Sequence, residues 1–262
     1  MRKTSLFEFE DLSWFPSFIR DGGTDFLGLI LRITKYYEPA VLLLEDVVKK
    51  TGQTQILDLC SGNGGPIEFI HENIDPSLNV SFMVSDKYPN LPAYKQLQLR
   101  TNNKVNYYSD ALDALDVNEN IPGVRTMFSA IHHFEPKDVK SMFHKMVNGK
   151  KTICIFDSGD KHLGTILGIL LFHPILFLIL TPFIKPFKLS RILFTYLIPV
   201  IPIYTIWDGI VSILRLYSSK ELMVMAQDVD TKNEFNWSYG KERNTIGFTV
   251  AYLIGIPKQA KL

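Results

Sequence analysis

Cysteine is scarce in this chain: two residues among 262, Cys60 and Cys154. Each sits in an apolar run that reads as a buried strand, so reduced thiols are expected and a disulfide framework is not. An excess of one charge is also missing. Lys and Arg total 28 against 27 Asp and Glu, which leaves no global basic field and argues against a nucleic-acid partner. Residues Met1–Asp11 are charged and hold no apolar core of a secretory signal, so a cytoplasmic location is expected. Internal repeats and low-complexity tracts are absent. His162 and His173 have neither cysteine nor acid at ligand spacing, and no metal is expected. The largest absence is local. From Leu163 to Ile184 there is no Asp, Glu, Lys or Arg. That segment raises the mean hydropathy of the chain to +0.07, high for a soluble protein.

What is present divides into segments. Residues 1–54 read as an N-terminal helical lid, with Phe26, Leu29, Ile30, Ile33, Tyr37, Val41, Leu44 and Val48 at helical spacing and Pro39 marking a break. Residues 55–160 alternate short apolar runs with helix candidates. The runs are Gln55–Leu59, Val80–Val84, Val105–Tyr108, Val124–Ser129 and Thr152–Phe156. One helix candidate starts at Pro66, and another near Pro136 with Val139, Met142, Phe143 and Met146 on one face. Strands alternating with helices imply an α/β fold with a mostly parallel sheet. Residues 161–217 form a hydrophobic helical insertion, and 218–262 return to the main domain. There Ser218 and Glu221 make a capping box ahead of a helix. Glu234–Tyr239 and Thr245–Ile254 read as a hairpin about a turn at Gly240–Asn244, with one strand antiparallel.

The stretch that carries chemistry is Ile56-Leu-Asp-Leu-Cys-Ser-Gly-Asn-Gly-Gly-Pro66. A strand ends in Asp58, and a loop with Gly62, Gly64 and Gly65 leads into a helix. Such a loop, at the carboxyl end of the first strand, is where an open α/β sheet binds a nucleotide-like ligand. The second strand ends in Asp86, placed to bind ribose hydroxyls. A dinucleotide and S-adenosylmethionine (SAM) compete for this arrangement. A carboxylate at Asp58 would repel a pyrophosphate and attract, directly or through water, the ammonium group of SAM's methionine half, so its sign favours SAM.

On these residues the chain resembles the class I SAM-dependent methyltransferases, and its opening Glu10-Asp-Leu-Ser-Trp-Phe-Pro16 is similar to the start of uncharacterised bacterial members. Their first motif is acid-x-Gly-x-Gly-x-Gly, here Asp58-Leu-Cys60-Ser61-Gly62-Asn63-Gly64, with Cys60 in place of the first glycine. The likeness covers roughly 55–160 and 205–257. It implies a Rossmann-like seven-stranded sheet with an antiparallel C-terminal hairpin strand. It also implies that Asp86 with Lys87 holds the ribose, that Asp110 and Ala111 edge the adenine, and that Phe128 and Ser129 border cofactor and substrate. The implied activity is methyl transfer. The alternative is a non-catalytic or non-methylating SAM-fold protein acting as a membrane-associated binding module, for which Cys60 is the best support.

Methyl transfer needs a base only when the nucleophile arrives protonated. His132 and His133, just past the fourth strand, are the candidate catalytic bases, with pKa values expected near neutral; the competing reading has them capping backbone or packing under the lid. Asp157 is a lesser candidate. The insertion offers two apolar runs, Leu163–Ile184 and Ile192–Trp207, joined by a basic link with Lys185, Lys188 and Arg191. A two-span hairpin would carry that link to the wrong side of the bilayer. A Pro-broken hairpin docked at the inner face of a membrane through 163–206 is expected instead. Its basic residues would meet anionic head groups, and Tyr196, Tyr204 and Trp207 would lie at the boundary. The competing reading is a soluble cap or a homodimer face. In either case the acceptor is expected to be a lipophilic small molecule.

Overall fold

Within the sheet, residues alternate between two apolar layers, as the two-residue period of a strand requires. Ile56, Phe82, Cys154 and Phe156 pack on one face; Leu57, Met127, Ile153 and Ile155 pack on the other. The structure is a computed structural model and describes residues 6–159 and 161–258. The limits of the expected segments at 1–5, 160 and 259–262 lie outside the described residues.

The strands are β1 (Gln55–Leu59), β2 (Ser81–Val84), β3 (Val105–Tyr107), β4 (Val124–Phe128), β5 (Ile153–Ser158), β6 (Phe235–Arg243) and β7 (Thr249–Pro257). Their order is β3-β2-β1-β4-β5-β7-β6. β1 to β5 pair in parallel, and β7 runs antiparallel to both β5 and β6. The sheet is thus the mostly parallel one expected. The hairpin turn lies later than expected: Gly240–Arg243 extend β6, and the reversal falls at Asn244–Phe248, where the Asn244 side chain accepts from the backbone of Ile246 and Phe248.

Helices α2 (Glu38–Thr51), α3 (Gly65–Asn73) and α4 (Leu91–Arg100) cover one face, and α5 (Pro136–Asn148) and α9 (Ser219–Val229) the other. Ser218 and Glu221 form the expected capping box. The buried face of α5 is Val139, Met142, Phe143, Met146 and Val147.

The first helix, α1 (Ser17–Ile33), begins nine residues before Phe26, the first of the positions expected at helical spacing, and the break falls ahead of Pro39, which sits in the first turn of α2. α1 carries Gly22, Gly23 and Gly28. Glycine weakens a helix by about 1 kcal/mol, but here two of them permit close approach. A Cβ at Gly28 would lie 2.1 Å from the Asn63 side chain, and one at Gly23 would lie 1.8 Å from the Tyr204 hydroxyl oxygen. α1 is therefore wedged between the glycine loop and the insertion.

The insertion comprises α6 (Leu163–Leu180), α7 (Leu189–Ile192) continuing into a π-turn over Leu193–Leu197, and α8 (Val200–Arg215). Ile201 and Tyr204 of α8 and Phe177 of α6 join Phe15, Ile19 and Phe26 in a third core. The Tyr204 hydroxyl donates to the carbonyls of Ile19 and Arg20. Tyr204 is thus a core residue, not a boundary residue.

The basic link also departs from expectation. Arg191 is 1% exposed and donates to Asp25 at 2.6 Å and to the carbonyls of Ile184 and Pro186. Lys188 reaches Asp25 at 2.9 Å and Asp21 at 3.4 Å. Two of the three basic groups thus face inward, onto α1, because its acids would otherwise be buried without counter-charge. Lys185 stays exposed. Outward, the insertion is bare. An 18-residue window within 163–183 has a mean hydropathy of 2.4 with 6% of that window buried, and α7 with its π-turn meets α8 at 82°. Leu171, Phe172 and Ile175 are each more than half exposed.

Candidate functional site

The chain leaves β1 for β2 on one side and reaches β4 on the other, so a crevice opens at the carboxyl ends of β1 and β4. A cavity of about 330 Å³ lies there, within the range of small-molecule sites. Its floor is the loop Cys60–Asn63 and its roof is α1, through Arg20, Asp21, Thr24 and Gly28. Glu10 and Asp11 close one end.

Cys60 sits at φ 57, the left-handed conformation in which glycine is at ease, so the cysteine keeps the turn that the motif's first glycine makes. Burial pushes its thiol pKa up. Ser61, Gly62 and Asn63 line the cavity, whereas Gly64 does not; its missing Cβ faces Leu97.

Asp58 does not reach the cavity. It is 1% exposed, accepts from Ser61 Oγ at 2.7 Å and Thr126 Oγ1 at 2.7 Å, and is absent from the wall. Burial outweighs those two hydrogen bonds and raises its pKa to about 7. The direct attraction expected between this acid and a cationic tail is therefore corrected: Asp58 braces the loop from behind.

Asp86 does line the cavity. Its oxygens accept from the backbone N–H of Gly62 at 2.9 Å and Tyr88 at 2.8 Å, which ties the ends of β1 and β2 together. Burial raises its pKa despite these bonds. Lys87 lines the cavity and holds Asp113 at 2.9 Å. Asp110 and Ala111 are exposed and lie off the wall; Asp113, Ala114 and Leu115 take that place. The chain reads Asp-Ala-Leu twice in succession from Asp110, and the fold uses the second copy. Phe128 and Ser129 line the cavity, and the Ser129 hydroxyl pairs with that of Tyr37.

The two histidines separate. His132 is 4% exposed, lies behind the wall and bonds Asp157 Oδ2 through Nδ1 at 2.8 Å. His133 lines the cavity but is ringed by acids: Nδ1 is 2.8 Å from Asp11 and 3.5 Å from Glu8, and Nε2 is 3.4 Å from Glu10. Burial lowers its pKa, but Glu8, Asp11 and Glu10 outweigh that and raise it to about 10. The expected base near neutral pH is thus corrected: His133 keeps its proton. Glu10, on the same wall, moves the other way, burial lifting its pKa to about 8.

Glu8, His132 and His133 bring one ligand-type atom each within 4.8 Å of one another. The chemistry there opposes a cation. Both Glu8 oxygens accept, from Arg215 at 2.9 Å and Ser212 at 2.8 Å, and a protonated His133 has no lone pair to give.

A helical lid from residues 1–54 is expected from the sequence, but the residues of α1 that line the cavity, Arg20, Asp21, Thr24 and Gly28, are not singled out by it. The signal was there: Gly22, Gly23 and Gly28 inside a helical apolar pattern mark a backbone that something approaches closely.

No family model and no curated protein matches the sequence. Solved structures do. The methyltransferase domain of bacterial CtHen1 is 11% identical, with a TM-score of 0.50, over 84% of this chain and 97% of that one. The S-adenosylmethionine-dependent methyltransferase SibL is 10% identical, with a TM-score of 0.50, over 87% of this chain and 57% of SibL. The chain spans little more than half the length of several structures that it matches. At these identities the likeness is one of fold: the chain has the class I SAM-dependent methyltransferase fold.

Proposed function

We propose that the protein transfers a methyl group from SAM to a lipophilic small molecule at a membrane surface. The observation that carries this is the cavity itself, set at the switch point of the sheet between the Cys60–Asn63 loop and α1. The residues present fit SAM. Asp86 ends β2 at the cavity, where a ribose needs an acceptor, and Asp113–Leu115 offer a shelf for the base. With Glu10 protonated at neutral pH, the wall still carries Asp11, Asp21, Asp86 and Asp113 against Arg20, Lys87 and His133, an acid excess that suits a cation. SAM, when bound, supplies an already activated methyl group on a sulfonium.

The chain's own part is alignment and exclusion of water. Ser129, Ala130, His133 and Phe134 form the wall beyond β4, and Glu10 and Asp11 face them. Of the wall groups facing that end, His133 holds a fixed positive charge, while Glu10 is the carboxyl whose proton exchanges near pH 8. An acceptor that arrives protonated would lose its proton to Glu10 in the fraction of molecules in which Glu10 is ionised, a fraction that grows as pH rises toward 8 and above.

The insertion supports the lipophilic part. α6 is apolar on every side, and Phe177 is its only residue classed as buried, which a water-facing helix does not tolerate. Because Lys188 and Arg191 are engaged with α1, docking would rest on apolar insertion with little electrostatic pull, so anionic lipid is not required. A homodimer face competes for the same surface.

Two experiments test this. Full-length protein is incubated with methyl-tritiated SAM and phosphatidylcholine vesicles carrying a long-chain phenol, amine or carboxylic acid, with water-soluble analogues alongside. Label entering a long-chain acceptor is expected. Protein that binds SAM yet labels none of them fits the non-catalytic binding module instead. In flotation, the protein rises with neutral vesicles and Phe172→Glu with Ile175→Glu does not; a protein that stays in solution as a dimer rejects the membrane reading.

A further inference from the structure

We infer that Arg20 is the anion-binding group of the cavity and takes the carboxylate of the amino-acid tail of SAM or S-adenosylhomocysteine; the inference rests on the reading above.

Four arginines are buried among the described residues: Arg20, Arg125, Arg191 and Arg215. Three are accounted for. Arg191 binds Asp25, Arg215 binds Glu8 and Asp11, and Arg125 donates to the carbonyls of Ile121, Pro122 and Gly123. Arg20 alone lines the cavity, at 6% exposed. Its Nε donates to the Glu10 carbonyl at 3.0 Å and its Nη2 to the Leu12 carbonyl at 2.7 Å. The guanidinium carbon lies 4.0 Å from the centre of the Tyr88 ring. Nη1 has no partner among the described residues, and no carboxylate accepts from this group there. A guanidinium cannot shed its charge on burial. Its remaining donor therefore calls for an anion arriving from the cavity.

Position narrows the anion. The Asp86 and Asp113–Leu115 walls are taken by ribose and base in the proposed pose. What remains for the rest of the ligand is the space over the glycine loop, roofed by α1. One turn beyond Arg20, Thr24 approaches Gly62 to 3.8 Å of where a Cβ would stand. Asp21, next to Arg20, lines the same cavity. Adjacent cation and anion on one helix match a zwitterion better than a bare anion, and the amino-acid tail is a zwitterion. The same arginine holds the Glu10–Leu12 segment, so a bound carboxylate would also steady the wall that faces the acceptor.

An anionic acceptor would present the same chemistry from another source. The ligand pair S-adenosylhomocysteine and 5′-methylthioadenosine separates them, because the second is the same nucleoside thioether without the amino acid. By calorimetry, Arg20→Gln is expected to weaken S-adenosylhomocysteine about 10- to 100-fold, the worth of one charge-assisted hydrogen bond. It should leave 5′-methylthioadenosine unchanged, and Arg20→Lys should recover part of the loss. Equal weakening of both ligands makes Arg20 a structural clamp and overturns the inference. Unchanged binding of both overturns it too and moves the anion to the acceptor. Wild-type protein that binds neither ligand removes the parent reading along with this one.

Discussion

Replacing Asp25 with alanine tests whether the insertion is latched to α1 by charge or merely packed against it. The Asp25 carboxylate is 1% exposed. It accepts from Arg191 Nη1 at 2.6 Å, from Lys188 at 2.9 Å and from Asn90 Nδ2 at 2.9 Å. Without it, Lys188 can swing toward water, since its side chain is already 15% exposed. Arg191 cannot: it keeps two carbonyls and a buried, unpaired Nε. Removing one partner of such a pair costs about 3–5 kcal/mol. For a chain of this size that is a fall in Tm of roughly 6–20 °C. Urea denaturation or calorimetry reads it. Asp25→Ala combined with Arg191→Met removes both buried charges and is expected to recover most of the loss. If the apolar contacts of Phe26, Phe177, Ile201 and Tyr204 hold the insertion alone, Asp25→Ala costs under about 1 kcal/mol. That result, or a double variant no better than the single, refutes the latch. Because α1 also roofs the cavity, the single variant is expected to weaken S-adenosylhomocysteine as well.

Stability should decline from pH 6 to pH 10. Each group concerned has a folded pKa above its ordinary value, so its stabilising share is complete below the ordinary value and is lost as pH climbs through the raised one. Burial raises Asp58 and Asp208 to about 7 and Glu10 to about 8, and the surrounding acids lift His133 from 6.5 to about 10. Melting curves across this range should shift downward, and His133→Gln should flatten the part above pH 8; a wild-type Tm that holds or rises contradicts the assignment. At the loop, Cys60→Gly should be more stable in urea than Cys60→Ala by about 1 kcal/mol, because φ 57 strains any side chain; equal stabilities would mean that the turn is not left-handed. Ser218→Ala should cost about 1 kcal/mol through the lost cap on α9, and no loss in urea would mean that the box is idle.

The elements legible in the sequence were those set by local pattern. Apolar runs ending in Asp58, Asp86 and near Asp110 marked the strands, and Ser218 with Glu221 marked the start of α9, because these signals span a few residues. Three features were hidden for stated reasons. The doubled Asp-Ala-Leu triplet left the cavity-lining copy ambiguous by three residues, and only packing put Asp113 on the wall. The Asp58 carboxylate turned inward because Thr126, on a neighbouring strand, offered it a hydroxyl. Lys188 and Arg191 looked free because their acids lie more than 160 positions away. Charge pairing at such separation leaves no periodic trace, and the same holds for the acids that fix the His133 proton.

The most direct measurement is a crystal structure of the protein soaked with S-adenosylhomocysteine. The ligand is expected between α1 and the Cys60–Asn63 loop, with its ribose hydroxyls within hydrogen-bond distance of Asp86 and its base against Asp113–Leu115. Density elsewhere, or none at saturating ligand, would contradict the account.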